Sequence, residues 1–372
     1  MHYAKNVLIA KNLIMYKFHE SVFEVNLNYL EKNLNYLKTQ LESGTKIIAV
    51  VKAYAYGHGD LEITKKLEAL NIYAFWVADF EEGVALRKSG ITTPIIVANP
   101  SPRSASQIIE YDLDVVVYSF RLLRLFGELK EKINIHLKFN SGMNRFGFSK
   151  LEIHKLKKEL SVYKNLTIVS ICSHLSSSRN NKKDDITKKE LECFNNIVSG
   201  FSTQNQEKQL IHILNTSGVL RFSNHQYNSV RIGIGLFGVH EDENLIPIGK
   251  LTSTISQIRI LKKGDAIGYE GNFICEQEMR IGVVPFGYAD GLDRRLGNLN
   301  GSLFVNGKFC SIVGDISMDS CVIDLSETNA IEGDRVEVFG TNNSIYSICR
   351  KINSIPYEFL SKINRRIKRI YN

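Results

Sequence analysis

Short apolar runs recur over the first two-thirds of the chain, and most are followed by a stretch of helical spacing. The runs are Lys46–Val51, Ala74–Ala78, Pro94–Ala98, Asp114–Ser119, Asn134–Phe139, Thr167–His174, Leu210–Leu214 and Ser229–Ile232. They are short and rich in Val and Ile, the pattern of strands covered on both faces. Between them lie amphipathic segments such as Asp60–Leu70, Phe80–Ser89, Phe120–Lys132 and Lys150–Leu160, which predict helices with one apolar face. Repeated strand–helix units mean a parallel sheet, and eight of them predict an α/β fold closed as a (β/α)8 TIM-like barrel. A doubly wound open sheet is the alternative.

The texture changes near Pro247. Beyond it the runs read as strands separated by Gly-rich turns (Lys263-Gly-Asp265, Asn306-Gly307, Glu332-Gly-Asp334), with a short helical tail from about Ser344. The expected organisation is therefore an extension or strand over residues 1–20 that packs with the C-terminal domain, a barrel over 21–247 and a mainly β C-terminal domain over 248–372.

Composition narrows the class. The 372 residues are 44% hydrophobic and 23% charged, ordinary for a globular chain. No apolar run approaches the roughly 20 residues that span a bilayer, and the patch Asn12–Tyr16 is flanked by lysines with no small-residue cleavage site after it. Neither a membrane nor a secretory leader is expected. The six cysteines form no CxxC or CxxH spacing, so no metal is expected and a reducing, cytoplasmic setting fits. The net charge of +8 is scattered except for Lys362–Arg369. That cluster reads as solvated surface or subunit interface, and no nucleic-acid partner is expected.

The stretch Ile47-Ile-Ala-Val-Val-Lys-Ala-Tyr-Ala-Tyr-Gly-His-Gly59 carries the first chemistry. In a barrel, strand C-termini meet at the mouth, which puts Lys52 there. Desolvation lowers a lysine's pKa and frees its amine for attack on an aldehyde. Position alone leaves equally open a lysine whose stem packs while its head reaches water.

This stretch resembles the cofactor-binding segment of alanine racemases. The resemblance implies a pyridoxal 5′-phosphate (PLP) cofactor held by Lys52 as a Schiff base, with Tyr56 on its phosphate; Tyr54 stands where Asn is usual. Further motifs follow in the same order. His136-Leu-Lys-Phe-Asn-Ser-Gly-Met-Asn-Arg-Phe-Gly147 is similar to the segment that binds the substrate carboxylate through an arginine, here Arg145. Lys138 matches a lysine often carbamylated in that family, and also reads as an ordinary strand-end lysine. His174, in Ile171-Cys-Ser-His-Leu175, matches the histidine beside the catalytic tyrosine, with Arg179 at a usually acidic position. Thr216, Gly233 and Ile234 match the phosphate cradle, Thr216 replacing a more usual Ser, and Arg231 matches the arginine facing the pyridine nitrogen. In the second domain, Gly264–Gly271 places Tyr269 as the second catalytic residue. Pro285–Arg295 places Tyr288 and Arg294 at the substrate entrance. Gly314–Asp319 places Met318 on the substrate, with Ser317 for a more usual Cys, and Ile355–Glu358 places Tyr357 on the phosphate. The resemblance runs from about residue 20 to 371.

What it implies is a two-base racemase, an isomerase interconverting L- and D-alanine for peptidoglycan. Lys52 serves the D-enantiomer and Tyr269 the L-enantiomer, with a chain from Tyr269 to His174 to Arg231 stabilising the phenolate. It also implies a head-to-tail homodimer with shared sites. A barrel-type decarboxylase usually has an acid at the ring nitrogen and a catalytic cysteine, against Arg231 and Tyr269. A single-domain PLP carrier lacks a β domain. A racemase for serine or another small amino acid stays open.

Overall fold

The computed structural model describes residues 19–201 and 209–372. The extension expected over 1–20 lies outside the described residues apart from His19 and Glu20. The chain forms two compact units: Glu31–Ala55 with Asp60–Leu245, and a second comprising the residues up to Leu30, Tyr56–Gly59 and Ile246–Asn372.

In chain order, β1 (Val22–Val25) belongs to the second unit, and eight strands then build the first. They are β2 (Lys46–Val50), β3 (Ala74–Val77), β4 (Ile95–Val97), β5 (Asp114–Val117), β6 (Ile133–Lys138), β7 (Leu166–Cys172), β8 (Leu210–His212) and β9 (Ser229–Ile232). All pair in parallel, in the order β8-β7-β6-β5-β4-β3-β2-β9. The expected barrel is therefore present, nearly closed. At the β8–β9 seam the Arg231 N–H donates to the Leu214 carbonyl (3.0 Å), and Ile211 N–H donates to Asn228 Oδ1 (2.7 Å). Ser229 Oγ donates to the Ile211 carbonyl (3.0 Å).

Helices start where side chains can accept the orphan N–H groups of a first turn. Asp79 caps Phe80–Lys88 by accepting from Glu82 N–H, and Ser119 caps Phe120–Gly127 by accepting from Leu122 N–H.

Side-chain alternation divides the barrel interior into two kinds of wall. On β2 to β5, Ile48, Ala74, Trp76, Ile96 and Val116 are buried in one apolar cluster, which Cys172 of β7 and Leu210 of β8 join, while Asp114 at the start of β5 is buried and polar. On β6 to β9 the interior carries His136, Ser170, His212 and Arg231, all buried. A buried polar group is costly unless hydrogen-bonded, so this polar wall must satisfy itself.

The second unit has a nine-stranded sheet. In it β1, expected inside the barrel, lies between antiparallel β10 (Gly249–Thr254) and the parallel strand Lys368–Tyr371. The tail expected to be helical does contain helices Ile345–Lys351 and Pro356–Lys362, but it ends in that strand. In the basic cluster Lys362–Arg369, Lys362, Arg365 and Arg366 are exposed, as on a solvated surface, and Arg369 departs from that reading. Arg369 is buried and donates to the carbonyls of Gly57, Ile363, Asn364 and Ile367. Arg366 bridges Asp290 (2.7 Å) and Asp319 (2.6 Å). Charge used to satisfy backbone carbonyls and carboxylates is invisible in a simple count.

Candidate active site at the barrel mouth

Lys52 follows β2 after one buried residue, Val51. The next four residues, Ala53 to Tyr56, all take positive φ, from +49° to +57°. Left-handed backbone costs a side-chain-bearing residue roughly 1–2 kcal/mol, so this turn persists only if other contacts hold it. Glu82 is one such contact. Its Oε1 accepts from Ala53 N–H and its Oε2 from Ala78 N–H, both at 2.7 Å. The carboxylate thus pins the backbone beside Lys52 to the end of β3. Burial pushes the Glu82 carboxyl above its ordinary value, against the pull of these two N–H groups.

Lys52 itself is held below the ordinary lysine pKa. Surrounding protein desolvates the amine and Arg145 and Arg231 repel its proton, while Glu82 partly opposes them. Lys138, at the end of β6, is lowered further, to about 8, chiefly by desolvation, with Arg231, Arg145 and Lys52 adding repulsion. Four basic side chains therefore converge on one mouth.

Arg145 stands on the loop Phe139–Phe148, whose ends bridge. Asn140 Oδ1 accepts from Gly142 N–H (3.2 Å) and Asn144 N–H (2.9 Å), closing the loop from inside. Gly147 has φ +129°, and a Cβ there would lie 2.4 Å from the Phe139 carbonyl carbon. Only glycine fits the return of this loop.

Arg231 is buried, and both terminal nitrogens of its guanidinium are hydrogen-bonded. It donates to His212 Nδ1, to the Ser173 carbonyl and to His174 Nδ1 (3.1 Å). It also lies 5.3 Å from the Trp76 ring centre. Desolvation, then repulsion from Arg231, holds His174 and His212 well below the ordinary histidine value, so both are neutral near pH 7. Thr216 Oγ accepts from the N–H groups of Gly233 and Gly235, each at 3.3 Å, with Ile234 buried between them. A Cβ on Gly235 would come within 2.5 Å of Thr216 Cγ2. The first unit thus brings together Lys52, Lys138, Arg145, His174 and Arg231, with Thr216, Gly233 and Ile234 in one hydrogen-bonded corner.

The remaining expected residues stand in the second unit. Tyr56 and Tyr357 pair there with ring centres 5.9 Å apart, and burial raises the Tyr56 phenol. Tyr269 is 73% exposed and follows Gly268 in a tight turn. Asn272 donates from that turn to Asp315 (2.9 Å), tying it to the loop of Met318, which is 53% exposed. Tyr288 N–H donates to the Ser317 carbonyl (3.0 Å) and Ala289 N–H to that of Met318 (2.9 Å). Tyr288 and Arg294 line one open cavity. Tyr269, Tyr288 and Met318 are all exposed. Arg179, at the usually acidic position, pairs with Glu241 (2.8 Å).

Two family models match the chain almost end to end: "Alanine racemase, N-terminal domain" over residues 25–241 and "Alanine racemase, C-terminal domain" over 248–371. The chain belongs to the alanine racemase family. Alanine racemase 1 of Caldanaerobacter subterraneus is 33% identical over 365 residues, covering 94% of each chain. Among solved structures, alanine racemase of Clostridium difficile superposes with a TM-score of 0.88 at 28% identity over 95% of this chain and 96% of that one. An alanine racemase from Bartonella henselae with covalently bound pyridoxal phosphate matches at a TM-score of 0.86 and 26% identity, over 95% and 99%.

Sequence reading passed over Glu82, His136, Ser170 and His212. The first was disguised as the third helical residue after an N-cap. The others lie mid-strand or at a strand end among apolar residues, and only alternation onto the interior face marks them.

Proposed function

We propose that this chain is a PLP-dependent isomerase that interconverts L- and D-alanine by two bases, Lys52 and Tyr269. The observation that carries the reading is the cation-rich mouth with no carboxylate on Arg231. Among the described residues, Arg231 makes no ion pair, and Lys52, Lys138 and Arg145 meet at the same place. Such a cluster calls for anions, and a phosphorylated cofactor with a carboxylate substrate supplies them.

The residues fit that group. Lys52, with its lowered pKa, offers the free amine that would hold the aldehyde. Thr216, Gly233 and Ile234 would meet the phosphate with Tyr56 and Tyr357, and Arg231 would face the ring nitrogen. When bound, PLP supplies an electron sink for a carbanion beside the amino nitrogen. Arginine donates and cannot accept a proton, so Arg231 leaves that sink moderate, which favours returning the proton over side reactions. Arg145 would hold the substrate carboxylate in a planar fork. A carbamate on Lys138 would give Arg145 a negative partner. Neutral His174 accepts from Arg231 at Nδ1, so its Nε2 carries a hydrogen that can donate to a phenolate.

The exposure of Tyr269 and Met318 supports a head-to-tail homodimer in which each copy lends these two residues to the other. Tyr288 and Arg294 would flank the entrance. Mixing inactive Lys52→Ala and Tyr269→Phe proteins then restores part of the activity through hybrid dimers; none after verified exchange counts against sharing. The six unpaired thiols suit a reducing cytoplasm, where the D-alanine would feed peptidoglycan. The deciding assay incubates PLP-loaded protein with single L-amino acids and resolves enantiomers by chiral chromatography. Serine turned over with alanine untouched overturns the substrate. No conversion at all overturns the reading.

A further inference from the structure

Tyr269 rides on the tip of a small hairpin. Strands Ala266–Ile267 and Phe273–Ile274 pair antiparallel, and the five residues between them form the tip. The base of the hairpin is packed, with Ile267 and Cys275 buried in a cluster that takes in Ile281 and Val313. The tip is not packed, for Gly268, Tyr269, Glu270 and Asn272 are all exposed. Its backbone is also unusual: Glu270 takes φ +58° between Gly268 at +78° and Gly271 at +62°. A side-chain-bearing residue keeps such a conformation only where its surroundings fix it. A pair of two-residue strands contributes little of that by itself.

Asp315 meets the tip at both ends. Its Oδ2 accepts from Asn272 Nδ2 at 2.9 Å. Gly268, at the other end, lies against the Asp315 backbone, where a Cβ on the glycine would sit 3.7 Å from the nitrogen and 3.8 Å from the carbonyl oxygen. The second carboxylate oxygen, Oδ1, accepts from Asn298 Nδ2 at 2.8 Å. Asn298 is itself anchored. It and Leu299 take left-handed φ of +53° and +68°, with Asn298 N–H donating to the Gly314 carbonyl (3.0 Å) and Leu299 N–H to that of Ile312 (2.8 Å). One carboxylate therefore joins three segments: the tip with Tyr269, the loop that follows Arg294, and the loop that carries Met318. Two acceptor oxygens with no hydrogen to place suit that task. The Asn272 amide and then the Asn298 amide hold the Asp315 carboxyl below its ordinary value, so it is ionised near pH 7.

We infer that Asp315 is a positioning residue for Tyr269, holding the hairpin tip so that the phenol is presented at one fixed place. It acts through Asn272 and the tip backbone, not on the substrate. The inference rests on the reading of Tyr269 as the base that serves the L-enantiomer. With the tie cut, the packed base of the hairpin stays, the tip wanders, and the phenol reaches its working position in a smaller fraction of molecules.

The test uses full-length, PLP-loaded protein and two complementary substitutions. Asn272→Asp sets two carboxylates against each other, and Asp315→Asn leaves one acceptor oxygen in place of two. Together they rebuild the bond with roles exchanged: the amide at 315 donates to the carboxylate at 272 while its own oxygen accepts from Asn298. L- and D-alanine have equal free energies, so kcat/KM must fall by one factor in both directions. Asn272→Asp should lower it about tenfold, the scale of a slightly misplaced catalytic group, and the double variant should regain most of the loss. Isotope effects show which base has moved. α-Deuterated L-alanine gives its deuteron to Tyr269 and α-deuterated D-alanine to Lys52, so in Asn272→Asp the effect should rise for L and stay for D. Amide exchange over residues 266–274, read by mass spectrometry, should quicken in Asn272→Asp and recover in the double variant, with the urea midpoint unchanged. Should Asn272→Asp not fold, Asp315→Ala removes the acceptors without repulsion and should show the same losses. An isotope effect that rises for both enantiomers or for neither, unchanged amide exchange, or a double variant no better than Asn272→Asp overturns the proposal. Exchange needs no turnover. A wild type that racemises nothing would therefore sink the functional reading, while exchange still decides whether Asp315 holds the tip.

Discussion

Glu82→Gln is the most informative single change at the mouth. The wild-type carboxylate accepts two backbone N–H groups, from Ala53 and Ala78, each at 2.7 Å. An amide keeps one acceptor and turns an NH2 toward the other N–H. A hydrogen bond to a charged group contributes about 1.5–3 kcal/mol, less where water can take the place of the lost partner, as at the exposed Ala53 N–H. The expected loss of stability is therefore about 1–2 kcal/mol, and the backbone strain of the four left-handed residues adds to the tendency of that turn to relax. A second effect is electrostatic. Glu82 raises the Lys52 pKa against Arg145 and Arg231. Neutralising it lets the Lys52 pKa fall further, so the amine becomes reactive at lower pH. Urea unfolding gives the first quantity. Acylation of Lys52 against pH, followed by mass spectrometry on cofactor-free protein, gives the second. Stability within about 0.5 kcal/mol of wild type, or a Lys52 midpoint that stays or rises, would refute the clamp.

Other outcomes follow from the same geometry. Gly147→Ala forces a Cβ onto the Phe139 backbone at positive φ, so the Arg145 loop should shift, stability should fall by about 2 kcal/mol or more, and KM in a racemisation assay should rise more than kcat falls. With its pKa near 8, Lys138 is about one-tenth free amine at pH 7, and 13C-bicarbonate should give a carbamate signal in 13C NMR that is lost in Lys138→Ala. The same lowering has a stability sign. Below pH 8 both folded and unfolded chains hold the Lys138 proton. Between about 8 and the ordinary 10.5 the unfolded chain holds more, so stability should climb with pH across that window relative to Lys138→Gln. Thermal midpoints of the two proteins, compared at pH 7 and pH 10, check this.

The barrel was legible because its strands are nearly pure apolar runs at regular spacing. The exceptions are instructive. Val22–Val25 lies inside the span expected for the barrel but not among its expected strands, since four residues carry no sign of which sheet will take them; its partners are more than two hundred residues away in sequence. Lys52 was legible as a lysine at a strand end, but its role, like that of Arg145, came from the resemblance of its motif to the family. Glu82 was not legible, because Asp79-Phe-Glu-Glu82 has the spacing of an ordinary capping box, and nothing local reveals that one oxygen reaches back to Ala53. His136, Ser170 and His212 are single polar residues within strands, each unremarkable alone. Their meaning arises only when register stacks them on one wall, and register is a property of the closed sheet.

The parallel pairing of Val22–Val25 with Lys368–Tyr371 bears on how the chain is made. A ribosome releases the barrel segments long before Lys368 emerges, so β1 must wait, paired on one side at most, for its second neighbour. Arg369 in that late strand grips the Gly57 carbonyl, one residue past the left-handed turn that begins beside Lys52. A nascent or C-terminally clipped chain that stops short of Lys368 would lack this grip. The turn that follows Lys52 is then held at Gly57 only once Lys368–Tyr371 has joined β1.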